Sequence, residues 1–430
     1  MSSIDVSRRT EITLEFEGVD ISADINKYLL NFEYTDNEED KTDDLTLTLD
    51  DRDNYWLGSW LDENEESDKS VENYKVGDFV TVTGRPQYSS SGNGTPGNKL
   101  TNYKGKVTKT NYKSGIKYPI HVDKKGWFEE SQLTKDGNSY TGISGKGSII
   151  RAMIIQRNKL TDGKDSILDC GYFEIDSIDG SGPPSKVTLR ATSLPYSSSI
   201  RYVLKNRVWE NISIHTIAMD IAKQNNMECK FYSGFNKWFE RKEQVNMSDI
   251  AFLRELCIET GISLKVSSKM IILFNAYEFE TKETIRTIKK YESDILSYKF
   301  STNFNDTAYD CCHVSYTNPQ TKKTIEYTYT PRENSKKSKS EKNILEINEK
   351  VNNKEEARQI AMKRLREKNK NEFKAEFNLI GDTCLVAGVT VQAEGFGKIF
   401  DGKYIVESAV HKPTDGYTVN INLRKVLEGY

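Results

Sequence analysis

Catalysis by side chains needs a nucleophile, a base or a metal cage. The histidines and cysteines are the first places to look. His121, His215, His313 and His411 are each isolated in sequence. The six cysteines stand at 170, 229, 257, 311, 312 and 384. None forms a CxxC pair, and Cys311-Cys312 is too tight for ordinary zinc spacing. They read as free buried thiols. HExxH, GxSxG and GxxxxGK[ST] are absent, and the glycine-rich stretch 92–97 lacks the Lys-Ser/Thr pair that cradles phosphate. Asp50-Asp51-Arg52-Asp53 is acidic enough to suggest calcium. It lacks the EF-hand spacing and the terminal Glu, and Arg52 would oppose a cation. A Cys/His pair for wall hydrolysis could be assembled only from His215 with Cys229 or Cys257. Cys257 shares an apolar helical stripe with Phe252, Leu253 and Leu256, so a core role is expected there. The sequence therefore calls for no catalytic residue, no metal and no cofactor.

Binding residues are better represented. Tyr88, Tyr103, Tyr118 and Trp127, with Tyr112, could line a groove for a peptide or a glycan, since aromatics give large contact area at low entropic cost. The same rings could instead fill a small core. A second set is acidic. Residues 1–70 hold 21 acidic and 6 basic side chains, whereas residues 72–146 hold 12 basic and 6 acidic. The change of sign suggests a boundary near residue 70. Unpaired carboxylates stay solvated, so Glu33, Asp36, Glu38, Glu39, Asp43 and Asp44 are expected at a surface. The basic stretch 332–342 lacks interleaved aromatics and reads as a solvated hairpin tip.

The elements that would hold these residues follow from periodicity. At 430 residues the chain exceeds one ordinary domain, and 36% hydrophobic with 29% charged residues fits a soluble globular protein. It has no apolar run of about 18 residues for a membrane span, and Met1–Thr10 has no signal-peptide core, so folding in the cytoplasm is the default expectation. Ile12, Leu14 and Phe16 alternate with polar residues, as do Leu45, Leu47 and Leu49; both are half-buried strands. A charged linker is expected at 62–72 and a Gly/Ser joint at 142–147. Between them lies an all-β module. Ser148–Asn158 reads as strand or helix, and Leu168–Ile178 alternates again. Ile214, Ile217, Ala218, Ile221 and Ala222 fit one helix face, and Ser248 can cap a second helix that ends at Gly261. Asn353 with Glu356 forms a capping-box pattern before a third helix, and two alternating strands close the chain.

Taken in order, these segments resemble the phage late control D family, which includes tail hubs of contractile phages and the N-terminal half of VgrG-type spike proteins. The stretches that carry the resemblance are LTLTLDDRDNYWLGSW, LDCGYFEIDSIDGSGPPSKVTLRATS, RVWENISIHTIAMDIAKQNNM, EQVNMSDIAFLRELCIETGISLKV and GKYIVESAVHKPTDGYTVNINLRKV. YKVGDFVTVTG and YPIHVDKKGWFEESQL resemble a bacterial SH3-like domain. The resemblance implies a mainly β chain with α+β parts. Two similar tube-type β-barrels would span 1–66 with 149–203, and 293–430 with a helix at 353–370. A small α/β module would fill 204–292, and an SH3-like barrel at 72–144 would interrupt the first barrel. It also implies a structural homotrimer in a phage tail or tail-like particle, made in the bacterial cytoplasm. Six barrels would meet the hexameric tail tube protein, and a trimeric spike protein would sit on the other face. The chain departs from the family in its insert and in carrying no fused spike. Other baseplate proteins are implied partners of the insert. The alternative is a peptidoglycan-binding or peptidoglycan-hydrolysing tail protein acting through the SH3-like module. In the trimer several of the six carboxylates named above would line the channel or its rim; the alternative is that they face basic partners outside the ring.

Overall fold

Alternation of apolar and polar side chains governs most of this chain, and the result is a β structure. The computed structural model describes residues 8–427 apart from 17–18, 40, 54–55, 57–73, 75, 77–78, 93–95, 114–115, 136–146, 160–162, 194–198, 268, 293, 320–321, 332–342 and 352. The linker expected at 62–72, most of the joint at 142–147 and the basic stretch 332–342 lie outside the described residues. Contacts divide the chain into two compact units, Met1–Asp50 with Lys146–Tyr430, and Asp51–Gly145.

The larger unit is organised by a 13-stranded sheet. Its first six long strands are Arg9–Phe16, Leu29–Asn37, Asp44–Asp50, Ile149–Arg157, Ser166–Ser181 and Lys186–Thr192. Leu14, Leu45, Leu47, Leu49, Ile154 and Val187 are buried on one face, as period-two alternation requires. Side by side, the strands run first, fourth, fifth, sixth, third, second. Six further strands are Arg286–Lys289, Ile295–Thr302, Phe373–Ile380, Thr390–Glu394, Gly402–Lys412 and Thr418–Lys425. They too run first, fourth, fifth, sixth, third, second.

The likeness between the two sets extends to their irregularities. Second and third strands are offset by a bulge at Leu29/Asn31 in one set and at Ile295/Ser297 in the other. Fifth and sixth strands are offset at Ile175/Ser177 and at Val406/Ser408. Bulges bend a strand and raise its twist, so matching bulges give matching curvature. One pairing differs: first and fourth strands are antiparallel in the N-terminal set and parallel in the C-terminal set. The sets join where Tyr34–Asn37 of Leu29–Asn37 pairs antiparallel with Ser408–His411 of Gly402–Lys412.

Between the two sets lies the central module. The antiparallel pair Lys205–Ser213 with Trp238–Met247 flanks the helices Ile214–Gln224 and Asp249–Thr260. Their apolar faces pack on a sheet in which Glu228–Tyr232 runs parallel to Met270–Phe274, with Ser263–Ser267 antiparallel to the latter. Ser213 and Ser248 accept hydrogen bonds from the amides of Thr216 and Ala251, as N-caps do, and Gly261 ends the second helix at φ 76°. A second α/β layer interrupts the C-terminal set, where the resemblance implies one barrel with a helix. Cys311–Thr317, Thr324–Tyr329 and Ile344–Ile347 form a sheet covered by the helix Lys354–Asn369, whose Asn353 cap accepts from the Glu356 amide at 2.8 Å. Leu345, Val351, Ala357, Ala361 and Leu365 are its core.

The smaller unit is a five-stranded sheet of Phe79–Gly84, Leu100–Thr110, Ile120–Val122, Gly126–Phe128 and Leu133–Lys135. The first four strands pair in sequence, and the last pairs with the first. Val80, Val82, Val107, Ile120, Val122 and Phe128 are buried between them.

Candidate functional site

The four histidines are held by neighbours that suit structural roles. His411 is fully buried; its Nδ1 lies 2.8 Å from the Tyr417 hydroxyl and its ring stacks on Tyr34. Burial pushes its pKa down to about 4, so it is neutral near pH 7. His313 and His121 meet the hydroxyls of Thr328 and Thr108 at 2.8 and 2.7 Å. His215 stacks on Phe231 with ring centroids 4.6 Å apart. All six cysteines are free. Cys170, Cys257, Cys311 and Cys312 are buried, Cys229 is half-buried, and Cys384 is exposed, contrary to expectation. Burial raises the Cys229 and Cys312 thiols to about 11 and about 12, which keeps them protonated and poor nucleophiles. Cys257 lies in the central core with Phe252, Leu253 and Leu256. Among the described residues no cluster of His, Cys, Asp and Glu could hold a metal ion. Asp51, from the acidic run, is buried and accepts from the Trp56 amide at 2.6 Å.

The aromatic residues of the smaller unit have separate roles. The Tyr103 hydroxyl donates to Asp123 at 3.0 Å, and Lys125 sits over its ring. The Tyr118 ring covers Gly92, where φ is 80° and a Cβ would collide with that ring. Trp127 exchanges both backbone hydrogen bonds with Gln87 and meets His121 edge-on. The Tyr112 hydroxyl accepts from the Tyr74 amide. Among the described residues no ring stacks pair Tyr88, Tyr103, Tyr118 and Trp127 with one another. Tyr88 alone of these four is exposed, at 76%.

The acidic set shows the clearest departure from the sequence reading. Asp36, Glu38 and Asp43 are 6%, 4% and 2% exposed. They are not the solvated surface carboxylates expected, because cations from distant segments reach them inside the chain. Lys265 Nζ lies 2.6 Å from Asp36 and 3.4 Å from Asp43. Asp36 also accepts from the Ala387 amide, and Asp43 from the Asn37 amide. Arg424, 1% exposed, pairs with Glu38 at 3.3 Å and with Glu280. Arg366 reaches the other oxygen of Glu280 at 2.6 Å. Glu39 is half-buried and pairs with Lys370 at 2.8 Å. Glu33 makes a partly exposed pair with Lys412 at 3.0 Å, and Asp44 is exposed.

Electrostatics sort these groups. Burial raises Glu38 to about 7, with Arg424 pulling the other way. Burial also works against ionised Glu39, but Lys370 overrides it and the net shift is down. For Lys265 burial favours the neutral form, and Asp36 and Asp43 outweigh it. The result is a buried ionic junction tying the end of Leu29–Asn37, the last strand, the central module and the helix Lys354–Asn369 together. Sequence reasoning missed its cations. The available hint was Arg424, a charge beside Leu423 in an otherwise alternating strand. A cavity of about 230 Å³ adjoins the junction, lined by Glu39, Glu280, Lys363, Arg366 and Arg424 among others.

The comparisons with known proteins agree with this architecture. Residues 273–424 match a family model described as YQBQ-like. No curated protein matches the chain. The fold is similar to that of the 43 kDa tail protein of prophage MuSo2 from Shewanella oneidensis, at 11% identity and TM-score 0.55, over 96% of this chain and 98% of that one. It is also similar to a tail protein from Neisseria meningitidis MC58, at 7% identity and TM-score 0.57, over 97% of each chain. The chain thus has the fold of phage tail proteins from end to end.

Proposed function

We propose that this chain, with its tail-protein fold, is the baseplate hub of a contractile phage tail or tail-like bacteriocin. Three copies form a ring that joins the hexameric tail tube to a trimeric central spike. The observation that carries the reading is the repeated strand order. Each chain brings two six-stranded sets of one strand order, so three chains bring six, the number a hexameric tube requires. Likeness to two tail proteins, one of them from a prophage, over nearly the whole chain supports the same reading. The role is assembly, with other baseplate proteins as neighbours, and no chemical step is part of it.

The smaller unit, read as an SH3-like module, docks a neighbouring baseplate protein. Its exposed Tyr88 and the basic excess of residues 72–146 support this. Peptidoglycan binding is the competing role, and co-sedimentation of the full chain with purified cell walls separates the two. For the hub itself the test is mass. Native mass spectrometry should give a particle of three chains, against 49.2 kDa for one. A strict monomer or dimer at micromolar concentration would sink the proposal.

A further inference from the structure

A buried ammonium group normally finds a carboxylate or carbonyl oxygens, because an unpaired polar group out of water is costly. Lys363 is an exception. Its Nζ is shielded from solvent and has no hydrogen-bond partner. Its stem packs across Gly261, which fixes where the ammonium ends. Burial lowers its pKa to about 8. Three residues on, Arg366 uses one side of its guanidinium for Glu280 and lies over the Tyr277 ring at 5.3 Å, but its Nη1 has no partner. Both residues line the cavity of about 230 Å³, between the end of Asp249–Thr260, the start of Ala276–Glu280 and the helix Lys354–Asn369.

The carboxylates of that cavity each have a cation beside them, although Glu280 Oε2 makes no hydrogen bond. Glu39 is held by Lys370, Glu280 by Arg424 and Arg366, and Glu367 by Arg364 at 3.3 Å. On the cationic side, one whole ammonium and one guanidinium edge remain without hydrogen bonds. Water could hydrate them, at roughly 30 Å³ per molecule, but would leave the charge uncompensated. A tetrahedral oxyanion or a carboxylate would supply the opposite charge and charge-assisted hydrogen bonds.

We propose that this cavity is an oxyanion site, in which Lys363 and the free edge of Arg366 hold a sulfate- or phosphate-sized anion or a carboxylate. The bound anion links the end of a central-module helix to the helix Lys354–Asn369, and so stiffens the contact between these layers. The proposal does not depend on the hub reading.

The test is calorimetric titration of the full chain with sodium sulfate and with sodium acetate, at constant ionic strength in chloride. Saturable binding of either anion is expected. Sulfate alone identifies a tetrahedral ligand, and acetate alone identifies a carboxylate. Lys363→Met should weaken binding at least ten-fold while its unfolding midpoint without anion equals or exceeds that of the parent. Lys363→Gln serves the same purpose if the methionine variant does not fold. No saturable binding of either anion by the parent chain, or unchanged affinity in a folded Lys363 variant, would overturn the proposal.

Discussion

Lys265 decides whether two carboxylates can stay buried. Asp36 and Asp43 have few exposed atoms, and this ammonium lies beside both. Breaking a buried ion pair from one side leaves uncompensated charge and costs about 3–5 kcal/mol. Lys265→Met should therefore destabilise the larger unit by about that much in urea unfolding. Lys412→Met, which removes a partly exposed pair with Glu33, should cost less than about 1 kcal/mol. Equal effects would mean that the junction is not energetically special. The sign with pH follows from the raised Lys265 pKa. Its contribution is full below the ordinary lysine range and fades as pH rises through the folded-state value. The sequence displays the acidic excess plainly, but of its partners only Arg424 leaves a local hint. Lys265 is 229 residues from Asp36, and Arg424 is 386 from Glu38. Pairing at such range depends on tertiary folding, so solvated carboxylates were the natural expectation.

Helices and strands were far more legible, because their signals are local. The apolar stripe of Ile214–Gln224, the Ser248 cap and the Asn353 cap could each be read from a window of a few residues. Ser148–Asn158 stayed ambiguous because its apolar run suits either period, and it forms the strand Ile149–Arg157. The α/β layer inside the C-terminal set was missed for another reason. Its strands alternate like their neighbours, and only the pairing of Cys311–Thr317 with Ile344–Ile347 separates them from the main sheet. Gly261 offers a test at this scale. It adopts φ 76°, where a side chain costs about 1–2 kcal/mol, and an added Cβ would also strike the Lys363 stem. Gly261→Ala should lower stability by about 1–2 kcal/mol, measured by chemical denaturation. An unchanged midpoint would show that the cap tolerates a side chain and that Lys363 is free to move.

At the scale of the molecule, internal repetition is the feature that sequence alignment by eye could suggest but not demonstrate. The two sets share strand order and two bulge positions, although their sequences alternate in different residues. Repetition concerns the larger unit alone. Among the described residues the five strands of the smaller unit pair only with one another, and they enclose their own apolar cluster. The larger unit likewise completes its sheet from its own residues, with Asp44–Asp50 paired to Lys186–Thr192 and Ile149–Arg157 to Ser166–Ser181. A segment with its own core can be removed without cutting a shared one, and loop-closure entropy changes slowly with length. Replacing residues 72–144 by a short Gly-Ser linker should therefore leave the larger unit folded. Circular dichroism should retain the β signal, and the thermal transition of the larger unit should stay within a few degrees of the parent. Light scattering should give the same number of chains per particle as the parent. Insoluble protein, or a folded product with fewer chains, would mean that the smaller unit supports the assembly itself. An intact oligomer that no longer joins neighbouring baseplate proteins would assign that unit to docking alone.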